Sequence, residues 1–147
     1  MAKIVKIVAL DGTVDILENE IHKYTTITAL MTSFEKLPRI LRINVNNFSA
    51  VYYNAVVEYT RNIAMSSVEH EYDADTIAHF TLDEARIADR FTSKEDAIRF
   101  FHAAHYLGNM SCAKFAMRTI IRHIIVWGLY NSDEMVSQNL ICEATTK

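Results

Sequence analysis

Two apolar patterns of helical spacing stand back to back between Thr92 and Gly128, joined at Leu107-Gly108-Asn109, and they limit the possible fold more than any other feature of the chain. The first opens on Thr92-Ser93-Lys94-Glu95, the S/T-x-x-E form of a capping box, in which a threonine oxygen takes the amide three residues on and the glutamate reaches back. Ala97, Phe100, Phe101, Ala104 and Leu107 then recur at helical steps as one apolar face, with Glu95, Arg99, His102 and Tyr106 opposite. Tyr106 is thus an aromatic on a face the core does not claim. Gly108 suits the left-handed conformation that ends a helix. In the second pattern Ala113, Ala116, Met117, Ile120, Ile121 and Ile124 form the expected buried stripe, with Lys114, Arg118 and Arg122 as a basic row on the other side. From Ile120 to Tyr130 the chain is apolar nearly all round, interrupted mainly by Arg122, His123 and Gly128. Such a helix end either lies deep in a core or waits for a partner.

The first half of the chain supplies something for this pair to pack on. Ile4 to Leu10 and Thr13 to Leu17 read as strands around Asp11-Gly12, a hairpin signal because Asp-Gly supplies the positive backbone angles of a two-residue turn. Asn19 is placed to cap a short helical turn through Tyr24. Thr25 or Thr26 then caps a helix whose Ile27, Leu30, Met31 and Phe34 fit the i, i+3, i+4, i+7 template. Pro38 breaks that pattern, and Arg39 to Ile43 reads as another strand. Asn44, Asn46 and Asn47 offer caps for a longer helix with Phe48, Val51, Tyr52, Ala55, Val56 and Tyr59 as its stripe. Tyr53 and Val57 flank that stripe, and either widen the core or face a partner. The stretch Ser66 to Asp75 is acidic and weakly patterned, as a flexible connection is. Thr81-Leu82-Asp83-Glu84 is a second capping box for a helix through about Arg90, and Asn131-Ser132-Asp133-Glu134 opens a last short helix through Met135 toward Ile141. This order implies an α+β fold with a small sheet and an all-helical tail.

At 147 residues, half of them apolar and with a net charge of -3, the chain is long enough to bury a core without staples. No apolar run approaches the ~20 residues of a membrane span, and the opening residues lack a signal segment, so the expectation is an intracellular protein that does not enter a membrane. Cys112 and Cys142 show neither C-x-x-C nor Cys/His spacing, and Cys112 reads as a small buried residue. His70, Asp73, Asp75 and His79 are suitable metal ligands by type but fall in the segment least suited to fixed geometry. His102 and His105 share a helix face without an evident third ligand. Glycine-rich phosphate loops, G-x-S-x-G and H-E-x-x-H are all missing, so no metal, cofactor or catalytic residue is assigned and a non-enzyme is expected. In a mildly acidic chain the Lys114, Arg118, Arg122 row reads as a solvated face rather than a nucleic-acid patch. Tyr106 beside Arg99 and His102, and the apolar Ile124 to Tyr130, are of the kind that anchors protein interfaces, although Trp127 equally suits the role of closing the helical tail. The residues by themselves reach an α+β interaction module.

Several strings carry a further likeness: Val5-Lys6-Ile7 leading into Asp11-Gly12; Thr26-Ile27-Thr28-Ala29-Leu30-Met31; Asn47 to Tyr59 ahead of the acidic stretch; Ala103-Ala104-His105-Tyr106-Leu107; and Asn131-Ser132-Asp133-Glu134-Met135. In order and spacing they resemble the S-phase kinase-associated adaptor family, which links F-box proteins to cullins in ubiquitin ligases and shares a BTB/POZ fold with elongin C. The resemblance implies a BTB/POZ-like domain made from residues 1–62 and 81–109, an acidic flexible linker at 63–80, and a helical extension at 110–147 that receives an F-box-type partner. It implies cullin contacts at His105 and Tyr106, with Asn47 and Tyr53, and an F-box bed of Met117, Ile120, Ile121, Ile124, Ile125, Trp127 and Met135. It further implies an adaptor without cofactors in the cytoplasm or nucleus, or alternatively a homodimeric scaffold of the same fold that no longer binds cullin. The chain departs from the family in three places and so looks like a divergent member. His105 stands where the family has asparagine and brings a charge that changes near neutral pH; Ile125 to Tyr130 is more apolar; and Lys147 precedes the family's acidic helix and tryptophan-containing tail.

Overall fold

In the computed structural model the described residues are 4–45, 48–63 and 80–137, with residues 126–137 as backbone. They run β1 (Ile4–Ala9), β2 (Thr13–Leu17), a 3-10 helix (Glu18–Lys23), α1 (Thr25–Thr32), β3 (Ile40–Val45), α2 (Ala50–Asn62), α3 (Leu82–Ala88), α4 (Lys94–Leu107) and α5 (Met110–Ser137). The chain is α+β: a three-stranded sheet in the order β2-β1-β3, with helices packed on it. β1 pairs antiparallel with β2 and parallel with β3. Strand alternation sends Val5, Ile7, Val14, Ile16 and Leu41 inward, and sets Lys6 directly opposite Asp15 on the outer face, 3.0 Å apart.

The hairpin turns one residue earlier than Asp11-Gly12 suggests. The Ala9 N–H donates to the Gly12 carbonyl at 2.8 Å, which makes Leu10-Asp11 the turn, and Gly12 is not left-handed. The reason lies in α2. Asp11 accepts from the Ala50 N–H and from the Ser49 hydroxyl, both at 2.7 Å, so its carboxylate serves the start of α2, and these bonds hold it below the usual carboxylate range. Ser49 is the cap of α2, not the asparagines before it; Asn47 lies outside the described residues. Thr25 does not cap α1 either: its hydroxyl and its N–H both go to the Gly108 carbonyl, at 3.0 and 3.2 Å.

The core is one cluster from Val5 to Ala116, so the first turns of α5 share it with the sheet. Its centre is aromatic. Phe91 stacks on Tyr52 and Phe100, and Phe115 stacks on Tyr59 at 4.7 Å while meeting the edges of Phe100 and Phe80. Buried Tyr53 and Val57 widen this core, so Tyr53 does not stand on the surface as a cullin contact would. At the rim Arg61 forks onto Glu20 at 2.6 and 2.9 Å, and Arg90 onto Glu58. Backbone helix runs unbroken from Met110 to Ser137, so the sequence Asn131-Ser132-Asp133-Glu134 continues α5 and does not start a new helix.

Candidate protein-binding surfaces

Both ends of α4 are fixed. Its cap is Ser93, whose Oγ accepts the Asp96 N–H at 3.1 Å, one residue beyond the expected Thr92. At the far end Gly108 is left-handed, with φ 77°, and lies so close to α1 that an added Cβ would sit 2.3 Å from Thr25 Oγ1 and 2.4 Å from Thr26 N. Only glycine fits there, and the joint locks the last turn of α4 to α1. Asn109 secures the other side of the joint. Its Oδ1 accepts the Cys112 N–H at 3.0 Å, and its Nδ2 donates to Thr60 Oγ1 at 2.7 Å.

α4 buries Ala97, Phe100, Ala103, Ala104 and Leu107 and leaves His102, His105 and Tyr106 exposed, the last at 46%. Aromatic rings organise this outer face. His102 stacks on Phe48 at 6.2 Å, His105 stacks on Phe101 at 5.9 Å, and Phe101 meets the edge of His102. Phe101 is therefore half-buried support for the imidazoles rather than deep core. Phe48 precedes α2 and takes no part in its helical stripe. Tyr52 braces the face from α2: its hydroxyl donates to Asp96 Oδ1 at 2.7 Å, and burial together with that bond pushes the phenol up.

On α5 the buried stripe is rotated from its expected position. Cys112, Phe115, Ala116 and Thr119 face the core with Ala113, whereas Met117, Ile124 and Ile125 are 42, 51 and 40% exposed and Ile120 and Ile121 are half-buried. Phe115 decides the matter, because its stacking partners lie on α2 and α4. The 112, 115, 116, 119 spacing was readable in the sequence, but cysteine and threonine hide it from an apolar count. Trp127 and Met135 lie on the backbone of α5, where no side chains are described. Burial in apolar surroundings raises the Cys112 thiol well above its usual range, the state of an unreactive core cysteine.

The basic row on this helix is not a solvated face. Arg118 is 4% exposed and bonds Glu84 Oε2 at 2.9 Å, and Arg122 meets Asp89 at 3.2 Å. Both guanidinium groups lie over the Phe80 ring, at 4.7 and 5.3 Å. Glu84 also completes the capping box of α3, taking the Thr81 N–H on Oε1. One carboxylate thus starts α3 and docks it on α5. His123 strengthens the same contact through the Phe91 carbonyl at 2.8 Å. Lys114 alone of the row stays exposed.

Among the described residues no group of three histidine, cysteine or carboxylate side chains is placed to hold a metal, and no helix is long and apolar enough to cross a membrane. His70, Asp73, Asp75 and His79 lie outside those residues. The exposed side chains on the outside of α4 and of α5 are the candidate contact surfaces of this α+β chain. The sequence matches no protein-family model and no curated protein.

Proposed function

We propose that the chain is a non-enzymatic adaptor of BTB/POZ type that joins an F-box protein to a cullin and works in the cytoplasm or nucleus. The observation that carries this reading is the second apolar face of α5. Phe115, Ala116 and Thr119 already fill the core, yet Met117, Ile124 and Ile125 stand out of it on the same helix. An apolar face left over after the core is complete suits a helical partner laid along it. Tyr106, outside the core at the end of α4, is free for the contact that the family likeness implies there. The mechanism is proximity: one protein held on α5 is brought to a scaffold held on α4, and the adaptor itself performs no chemistry.

Size-exclusion chromatography with light scattering, on the protein alone and then with a cullin amino-terminal domain and an F-box domain, tests the proposal. A ternary complex is the expected result, with Ile124→Glu removing the F-box domain and leaving the cullin domain bound. Failure to join either domain overturns it. One observation favours a second reading, a self-associating scaffold: Leu30 of α1 and Phe34 just beyond its end are 38 and 40% exposed. A mass that rises with concentration in the absence of partners is its signature.

A further inference from the structure

β3 is where the sheet ends. In the order β2-β1-β3 it bonds β1 along one side, and among the described residues no strand pairs with the other. In a parallel pair every second residue turns its N–H and C=O away from its neighbour, so the open side of Ile40–Val45 is a row of unused donors and acceptors. Such edges are commonly blunted by a proline, a bulge or a charge pointing inward, and β3 has none of these. Pro38 precedes the strand, the register runs evenly from Ile4 opposite Ile40 to Ala9 opposite Val45, and the inward side chains are Leu41, Ile43 and Val45. Arg42 is its single charged residue.

The rows that cross the outer face of the sheet define what suits a fourth strand. The register sets Leu17, Ile4 and Ile40 in one row, Asp15, Lys6 and Arg42 in the next, and Thr13, Val8 and Asn44 in a third. The first row is apolar and reaches the open edge at Ile40, which is 42% exposed. The second runs negative, positive, positive. Lys6 reaches back to Asp15 at 3.0 Å, and on its other side it stands directly opposite Arg42. Like charges placed opposite one another destabilise a sheet, and a carboxylate on the open side of Arg42 offsets that cost by continuing the alternation. An apolar side chain beside Ile40 extends the first row in the same way.

We infer that the open edge of β3 takes an extended segment of a protein partner as a fourth strand, one that sets an apolar side chain beside Ile40 and a carboxylate two residues away beside Arg42. Main-chain hydrogen bonds to the edge supply the affinity, and the cross-strand rows select the sequence. The edge belongs to neither candidate surface on α4 or α5, since β3 packs chiefly on β1. It therefore offers a place for a further partner and does not depend on the adaptor reading.

The probe is the end-blocked peptide Thr-Val-Val-Glu-Val-Val-Thr, whose palindromic sequence lets the glutamate meet Arg42 in either strand direction. The control peptide carries lysine in place of glutamate. Each is titrated into the isotope-labelled full chain at low ionic strength, and amide hydrogen exchange is followed by NMR, a readout that a contact between side chains alone does not move. The expected result is slower exchange at alternate amides of β3, with the glutamate peptide bound about fivefold more tightly than the control. Arg42→Glu is expected to reverse that preference. The inference is overturned if neither peptide slows exchange in β3, if the slowing falls on α4 or α5 instead, or if the two peptides bind the wild type alike. It is equally overturned if every β3 amide is already protected in the free chain, because the edge is then covered, or if that protection grows with protein concentration alone, which assigns the edge to a second copy. The comparison of the two peptides on the wild type decides these points even if the variant does not fold.

Discussion

The outward row of α4 and the basic row of α5 are alike in sequence and opposite in fate. Arg99, His102 and Tyr106 recur along one face of their helix as Lys114, Arg118 and Arg122 do along theirs. On α4 the row stays outside: Arg99 keeps a contact with Asp96 at 3.4 Å, and His102 rests against Phe48. On α5, Arg118 and Arg122 are taken up by Glu84 and Asp89 and covered by Phe80. The difference is the segment from Phe80 to Asp89, with α3 at its centre, which brings two carboxylates and an aromatic to one row. Periodicity tells which residues share a face; it does not tell which faces another element will cover.

If that contrast is physical, the same truncation will have unequal consequences. Arg118→Ala leaves the Glu84 carboxylate buried without its cation and exposes the Phe80 ring. The expected loss is about 3–5 kcal/mol in urea unfolding, the cost of breaking a buried pair from one side. Arg122→Ala removes a pair whose side chains are 38 and 62% exposed, and is expected to cost below ~1 kcal/mol. Equal losses for the two variants break the comparison, since they would mean that α3 does not seal Arg118 away.

The next effect concerns how the α4 row is held. Gly108→Ala places a side chain on a left-handed residue against the α1 backbone, at an expected cost of ~2 kcal/mol or more, with the Tyr106 surface displaced. Gly12→Ala meets only the Ala50 Cβ, at 3.3 Å, and is expected to cost less. Thermal unfolding of both proteins measures the difference, and a milder effect at Gly108 would show that the joint does not order the end of α4.

Much of this was legible beforehand. The Thr81 to Glu84 capping box, the Gly108 stop, the buried side of α4 and the exposure of Tyr106 follow from local rules that tertiary packing leaves intact. The errors arose where a residue answers to a distant partner. Asp11 shapes its turn for α2, Thr25 gives its hydroxyl to Gly108 rather than to α1, and Phe115 rotates α5 to reach Tyr59. Tyr53 was ambiguous for the same reason, because an aromatic flanking a stripe joins the core only if the opposing surface is wide enough. For the candidate surfaces, the sequence revealed Tyr106 and the apolar excess of α5, but not the phenyl rings beneath His102 and His105. Those pairings join Phe48 to a helix far along the chain.

A smaller effect tests whether the sheet side is knit by charge as the α3–α5 contact is. Glu20 is held below its ordinary value of 4.5, first by the hydrogen bonds from Arg61, with burial opposing and the Leu17 N–H assisting. A lowered carboxylate contributes stability that is complete above its unfolded range and is lost as the pH falls from there through the lowered native value. Arg61 is 41% exposed, so screening reduces the contribution to about 1 kcal/mol. Unfolding free energies measured from neutral pH down into the acid range are expected to decline less steeply in Glu20→Gln than in the wild type. Parallel curves would remove the pair from the account and leave Arg118–Glu84 as the ion pair that matters to stability.

The smallest expected change in stability belongs to Tyr106→Ala, and it sharpens the comparison most. Tyr106 is 46% exposed and has neither an α3 nor a Phe80 above it, so its loss is expected to cost under ~0.5 kcal/mol. Its role, if the α4 row is a docking surface, is instead to offer a rigid ring and a hydroxyl beside the two imidazoles, the kind of anchor that concentrates binding energy. Binding of the cullin domain by the variant, measured by calorimetry beside its urea midpoint, is therefore expected to weaken at least tenfold while the midpoint stays in place. A large drop in the midpoint would mean that Tyr106 is structural, and that the α4 row, like that of α5, is consumed by the fold.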